Sequence, residues 1–122
     1  MGQKVGFEKV EPNENHDTVK DVAPEEVLAN KDELLIVDVR RPDEWEGELG
    51  HIPGAKHLIL DELPQKIHEL PKDQTIVFIC RSGGRSGQAT AFAKENGFED
   101  TFNMQGGMIK WNELDYETEG KS

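Results

Sequence analysis

The chain has 122 residues, the length of one ordinary domain with a real hydrophobic core. Its formal net charge of −11 repels nucleic acid and anionic membrane surfaces, so neither is an expected partner. A single cysteine excludes an internal disulfide and fits a reducing compartment, and no stretch approaches the roughly 18 apolar residues of a membrane span. The first twenty residues, "MGQKVGFEKVEPNENHDTVK", have no continuous apolar core and no small-residue cleavage site, so they do not read as a secretory signal. A cytoplasmic location is the expectation.

Residues 1–17 are polar and read as a flexible arm with room for one short strand, and residues 18–122 read as one domain. "TVKDV" is expected to be a first strand and "PEEVLAN" a short helix with Pro24 in its first turn. "LLIVDV" (34–39) and "TIVFIC" (75–80) are apolar runs rich in branched residues, the pattern of strands buried on both faces. Helical segments between such runs predict a parallel sheet in an α/β protein. Leu60, Leu63, Ile67 and Leu70 stand at helical spacing, with Pro64 tolerable only near a helix start. "SGQATAFAKENGF" predicts a helix that buries Ala89, Phe92 and Ala93 and stops at Gly97 in a left-handed cap. "TFNM" predicts the last strand, and "GGMIKWNELD" a closing helix that offers Met108 and Trp111 to the core.

The lone cysteine, Cys80, ends the second apolar run and opens the loop "CRSGGRSG". Ligands of parallel α/β sheets gather beyond the carboxyl ends of the strands, where this thiol is expected. Backbone N–H groups of Arg81, Ser82, Gly83, Gly84, Arg85 and Ser86 are expected to converge near the sulfur, as a helix N-terminus and an anion-binding nest. Gly83 and Gly84 permit the tight turn this needs. Cationic neighbours and helix N-termini favour thiolate over thiol, so the loop predicts an activated cysteine nucleophile with a small-anion site around it. The alternative reading of Cys80, a small apolar residue that finishes a buried strand, has the weaker case beside so many donors and charges.

Four landmarks in order resemble the single-domain rhodanese-like sulfurtransferases: "IVDVRRPDEW" (36–45), "GHIPGA" (50–55), "CRSGGRS" (80–86) and "NMQGGMIKW" (103–111). The resemblance spans Val19 to Trp111 and implies a three-layer α/β/α fold around a central, mainly parallel five-stranded sheet. It further implies that Cys80 takes the outer sulfur of a donor such as thiosulfate, carries it as a persulfide and passes it to cyanide or a thiol. No metal and no organic cofactor are implied. Arg85, with Arg81, is expected to orient the oxyanion end of thiosulfate, and Ser82 and Ser86 to add hydroxyl donors. Related phosphatases and arsenate reductases separate their cysteine and arginine by five residues. Here four residues lie between Cys80 and Arg85. A tetrahedral phosphoryl group needs more room, so the spacing favours sulfur transfer. A sulfur carrier that docks on a protein partner is the main alternative, and an inactive interaction domain the weakest.

Asp38 and Arg40 follow a strand and so approach the active end of the sheet; their expected role is to pair with each other, since a free carboxylate beside the sulfur opposes ionisation. His51 in "GHIPGA" reads as part of a structural bend rather than a general base. His16, His57 and His68 share no metal-ligand spacing with Cys80. Trp45 and Trp111 are expected core anchors, and Gly106 and Gly107 a strand-to-helix turn. Four residues separate Trp45 from Gly50 where many family members have two, which predicts a longer surface loop at the rim of the site.

Overall fold

The two apolar runs form adjacent parallel strands in the middle of the sheet. In the computed structural model, which describes residues 5–121, Leu35 pairs with Ile76 and Asp38 with Ile79. Strands are numbered β1 (Val10–Pro12), β2 (Lys20–Val22), β3 (Leu35–Asp38), β4 (Lys56–His57), β5 (Ile76–Ile79) and β6 (Thr101–Met104). Helices are α1 (Pro24–Ala29), α2 (Pro42–Trp45), α3 (Leu63–Lys66), α4 (Gly84–Glu95) and α5 (Gly107–Glu113). The spatial order is β1-β2-β6-β5-β3-β4, parallel throughout except for the antiparallel β1–β2 pair.

The mainly parallel α/β sheet is present, with six strands where five were expected. The sixth is β1, from the segment read as an arm with one short strand; Val10 pairs with Val22 and Pro12 with Lys20. Pro12 suits this outermost position because an edge strand does not need its missing N–H.

Successive side chains of β5 leave on opposite faces and seed two cores. Ile76, Phe78 and Cys80 join Val37, Leu63, Ile67, Ala89 and Ala93 on the side covered by α3 and α4. Val77 and Ile79 join Val22, Val27, Ile36, Met104, Met108 and Trp111 on the side covered by α1 and α5. Burial on both faces explains why β3 and β5 read as unbroken apolar runs.

Two further sequence expectations change. The helix expected around residues 60–70 is α3 alone, one turn flanked by 3₁₀ turns at Leu60–Glu62 and Ile67–Glu69. Pro64 sits in its first turn and Pro71 follows, so neither end can extend. Leu63, Ile67 and Leu70 are buried all the same. Trp111 is fully buried as expected, but Trp45 lies half-buried on the surface turn α2, where its ring stacks on His51 at 3.6 Å and on His57 at 4.5 Å.

Candidate active site

Strand β5 ends at Ile79, directly before Cys80, and three residues after the cysteine the chain enters α4 through Gly83, whose φ of +110° only glycine adopts readily. This tight reversal folds the loop back over the sulfur. The Gly83 N–H donates to Cys80 Sγ at 3.1 Å, and Ser86 Oγ, one turn into α4, lies 3.3 Å from the same atom. The thiol itself is buried, at 1% relative exposure, beneath a loop whose Arg81, Ser82 and Gly84 are exposed.

The loop carbonyls point elsewhere, and helix α5 explains how. Met108 N–H donates to the Cys80 carbonyl at 2.9 Å and Ile109 N–H to that of Arg81 at 3.0 Å. Gly107, at φ +57°, lets the two backbones touch: a Cβ there would stand 2.4 Å from Arg81 O and 2.6 Å from Cys80 O. The first turn of α5 thus holds the loop by its carbonyls. Reading the second glycine pair only as a turn missed this duty, although two glycines directly before a helix were its signal.

Arg85, expected to orient the oxyanion end of thiosulfate, is engaged by a carboxylate. Its two terminal nitrogens donate to the two carboxylate oxygens of Glu44 at 2.7 and 2.8 Å, a bidentate bridge between α4 and α2. That hydrogen bond holds the Glu44 carboxyl at about 2 against an ordinary 4.5, despite partial burial, which opposes the shift. It also raises the Arg85 guanidinium, to which the nearby Cys80 and Asp38 add smaller contributions. Glu44 escaped the sequence reading because the pair spans 41 positions. Arg81 is exposed and makes no ion pair among the described residues.

Asp38 and Arg40 form a buried pair. The guanidinium meets both carboxylate oxygens at 2.8 to 3.1 Å and donates to the Gly50 carbonyl at 2.7 Å. His51 stacks on Trp45, bonds its carbonyl through Nδ1 at 2.9 Å and pairs by backbone with Glu119, so its ring has no contact with the thiol. Gly47, Glu48 and Leu49 of the longer loop line a cavity of about 170 Å³ with Arg81. On the other flank, Ser82, Gly83 and Gly84 share a cleft of about 320 Å³ with Glu11, Glu14 and Asp21.

Comparison with known proteins agrees with this geometry. The model of the rhodanese-like domain matches residues 23–114. A sulfurtransferase of Allochromatium vinosum is 40% identical over 84 residues, 69% of this chain and 77% of that one. A protein of Pseudoalteromonas translucida named thiosulfate sulfurtransferase is 34% identical, over 69% of this chain and 78% of its own. The crystal structure of a rhodanese-related protein from Thermoplasma volcanium superposes with a TM-score of 0.77 at 26% identity, over 82% of this chain and 97% of that one.

Proposed function

The chain belongs to the rhodanese-like sulfurtransferase family, and from that premise we propose that Cys80 carries sulfane sulfur as a persulfide. The observation that carries this reading is the buried sulfur with the Gly83 N–H and the Ser86 hydroxyl at 3.1 and 3.3 Å. In the first half-reaction the Cys80 sulfur attacks the outer sulfur of thiosulfate. The new S–S bond forms as the old one breaks, and sulfite leaves with the electron pair. In the second, cyanide or a thiol attacks the outer sulfur of the persulfide, and the Cys80 sulfur takes back its electron pair. Splitting the transfer in two is covalent catalysis, and the anionic persulfide gains from the same donors as the attacking sulfur. The first-turn N–H groups of α4 lack intrahelical acceptors and would be the donors that receive the outer sulfur of the persulfide.

Thiosulfate is the donor named in the Pseudoalteromonas relative, and Arg81 is the exposed cation beside the loop. The Glu44 clamp on Arg85 favours a second reading of the donor: a persulfide of lower charge, small or protein-bound. One experiment decides. Incubation with thiosulfate, followed by intact-mass measurement, is expected to show a gain of one sulfur atom that cyanide removes and that Cys80→Ser abolishes. Loading by a persulfide but not by thiosulfate selects the second donor. Loading by neither, in a folded protein, removes the proposal. Cys80-dependent turnover of an aryl phosphate would instead overturn the spacing argument against phosphate chemistry.

A further inference from the structure

Ser86 has one hydroxyl proton and two neighbours that want it. Its Oγ lies 3.3 Å from Cys80 Sγ and is hydrogen-bonded to Asn103 Oδ1 of β6. Ser86 and Asn103 are both buried, at 0% and 2% exposure. The orientation of the Asn103 amide is fixed from behind, where Nδ2 donates to Asp21 Oδ1 at 2.9 Å. The same carboxylate oxygen accepts from Asn13 Nδ2, also at 2.9 Å. Turning the amide over would set its oxygen against a carboxylate, so Oδ1 faces Ser86, and an amide oxygen only accepts. The bond between Ser86 and Asn103 therefore uses the hydroxyl proton, and Oγ presents lone pairs to the sulfur. That arrangement suits a thiol, whose S–H donates to Oγ. An anionic sulfur has no proton to give and needs the one Asn103 holds.

We infer that Asn103 is a positioning residue, which competes with the Cys80 sulfur for the Ser86 proton. In the thiol state the proton lies on the bond to Asn103. When the thiol proton leaves to water, the hydroxyl turns and donates to sulfur, leaving Oδ1 without it. The competition weakens the anionic sulfur relative to the thiol, and Asp21, by polarising the amide, strengthens the hold of Asn103. Asn13 and Asp21 precede residues 23–114, so this chain of hydrogen bonds starts outside the part that matches the family model. The other charged or titratable groups around the loop are Arg81, Arg85 with Glu44, Arg40 with Asp38, His16 near Gly87, and Lys110, whose stem lies against Gly106. None of them contacts the Ser86 hydroxyl. The importance of Asn103 for sulfur transfer rests on the proposed function, but the proton competition belongs to the resting site.

The test is the pH dependence of Cys80 alkylation by iodoacetamide. Asn103→Leu removes the acceptor and keeps the volume, so its midpoint is expected to fall by about half to one pH unit, the worth of one hydrogen bond. In a Ser86→Ala background the same substitution is expected to move nothing, because the shared proton is gone. An unchanged midpoint in folded Asn103→Leu, or an equal shift without Ser86, overturns the inference. If Asn103→Leu does not melt cooperatively, the wild-type protein decides: the NMR signals of the Asn103 side-chain NH₂ should titrate with the alkylation midpoint and lose that response in Ser86→Ala. A flat signal overturns it. Loading with thiosulfate and with a persulfide on the same samples separates the two ideas, since a shift with loading by neither donor removes only the sulfur-transfer reading, and loading without a shift removes only the role of Asn103.

Discussion

At the scale of single residues, the decisive finding is that Glu44 engages both terminal nitrogens of Arg85. A guanidinium so held positions the first turn of α4 but offers an incoming anion less than a free cation does. Two predictions follow from the clamp. Arg85→Ala is expected to raise the apparent KM for thiosulfate by about tenfold with a smaller effect on kcat, since it leaves the Glu44 carboxylate unpaired beside the loop, where it repels the dianion. Steady-state kinetics with cyanide as acceptor checks this; a loss confined to melting temperature would make Arg85 purely structural. The second concerns acid. The Glu44 carboxyl sits at about 2, below its ordinary 4.5, so the stabilisation is complete above pH 4.5 and lost as pH falls toward 2. Glu44→Gln should therefore melt below wild type at pH 6, and the two should converge near pH 2. A melting difference independent of pH would show that the charge is not what Glu44 contributes.

At the scale of elements, the Cys80 loop is a joint product of β5, α4 and α5. Gly107→Ala places a methyl group 2.4 to 2.6 Å from the carbonyls of Arg81 and Cys80, on a backbone at φ +57°. It is expected to cost about 2 kcal/mol or more and to abolish sulfur loading, by displacing the loop those carbonyls anchor. Gly84 is the contrast: nothing lies within 4 Å of a Cβ built there, and its φ is not positive. Gly84→Ala is expected to leave stability level or raise it by up to about 0.5 kcal/mol. Denaturant unfolding of both variants checks the pair, and equal losses would refute the distinction. The same elements show what sequence makes legible. Strands β3 and β5 and the Cys80 loop were readable because their signals are local: unbroken apolar runs, then a thiol among glycines and arginines. The break-up of the helix around α3 was half-signalled by Pro64 and Pro71. The Glu44–Arg85 bridge, the hold of α5 on the loop and the Asn103–Ser86 contact were not readable, because each joins residues that only the sheet order brings together.

At the scale of the whole molecule, two electric fields would compete over thiosulfate, the dianionic donor of the proposed reaction. The chain carries a formal net charge of −11, which repels thiosulfate at long range. Close to the sulfur the balance depends on which cations remain uncompensated. Arg40 is matched by Asp38, Arg85 by Glu44 and Lys110 by Glu113, which among the described residues around the loop leaves Arg81, while Glu11, Glu14 and Asp21 line the cleft against Ser82 to Gly84. The local positive field is therefore one exposed guanidinium plus the loop N–H groups, and it acts over a few ångströms, within about one Debye length at 0.1 M salt. Approach from bulk solvent is governed by the larger, more distant acidic field, so screening should help the donor reach the loop. We expect kcat/KM for thiosulfate to rise by roughly two- to fivefold between 10 and 150 mM sodium chloride, the reverse of an electrostatically steered enzyme. A neutral acceptor thiol such as 2-mercaptoethanol, presented to the loaded persulfide, should show much less dependence. A rate that falls with salt would mean that Arg81 and the loop outweigh the acidic shell, and that Arg85 leaves Glu44 when the donor arrives. Repeating the salt series with Glu44→Gln tests that directly: extra positive charge at the loop should flatten or invert the rise.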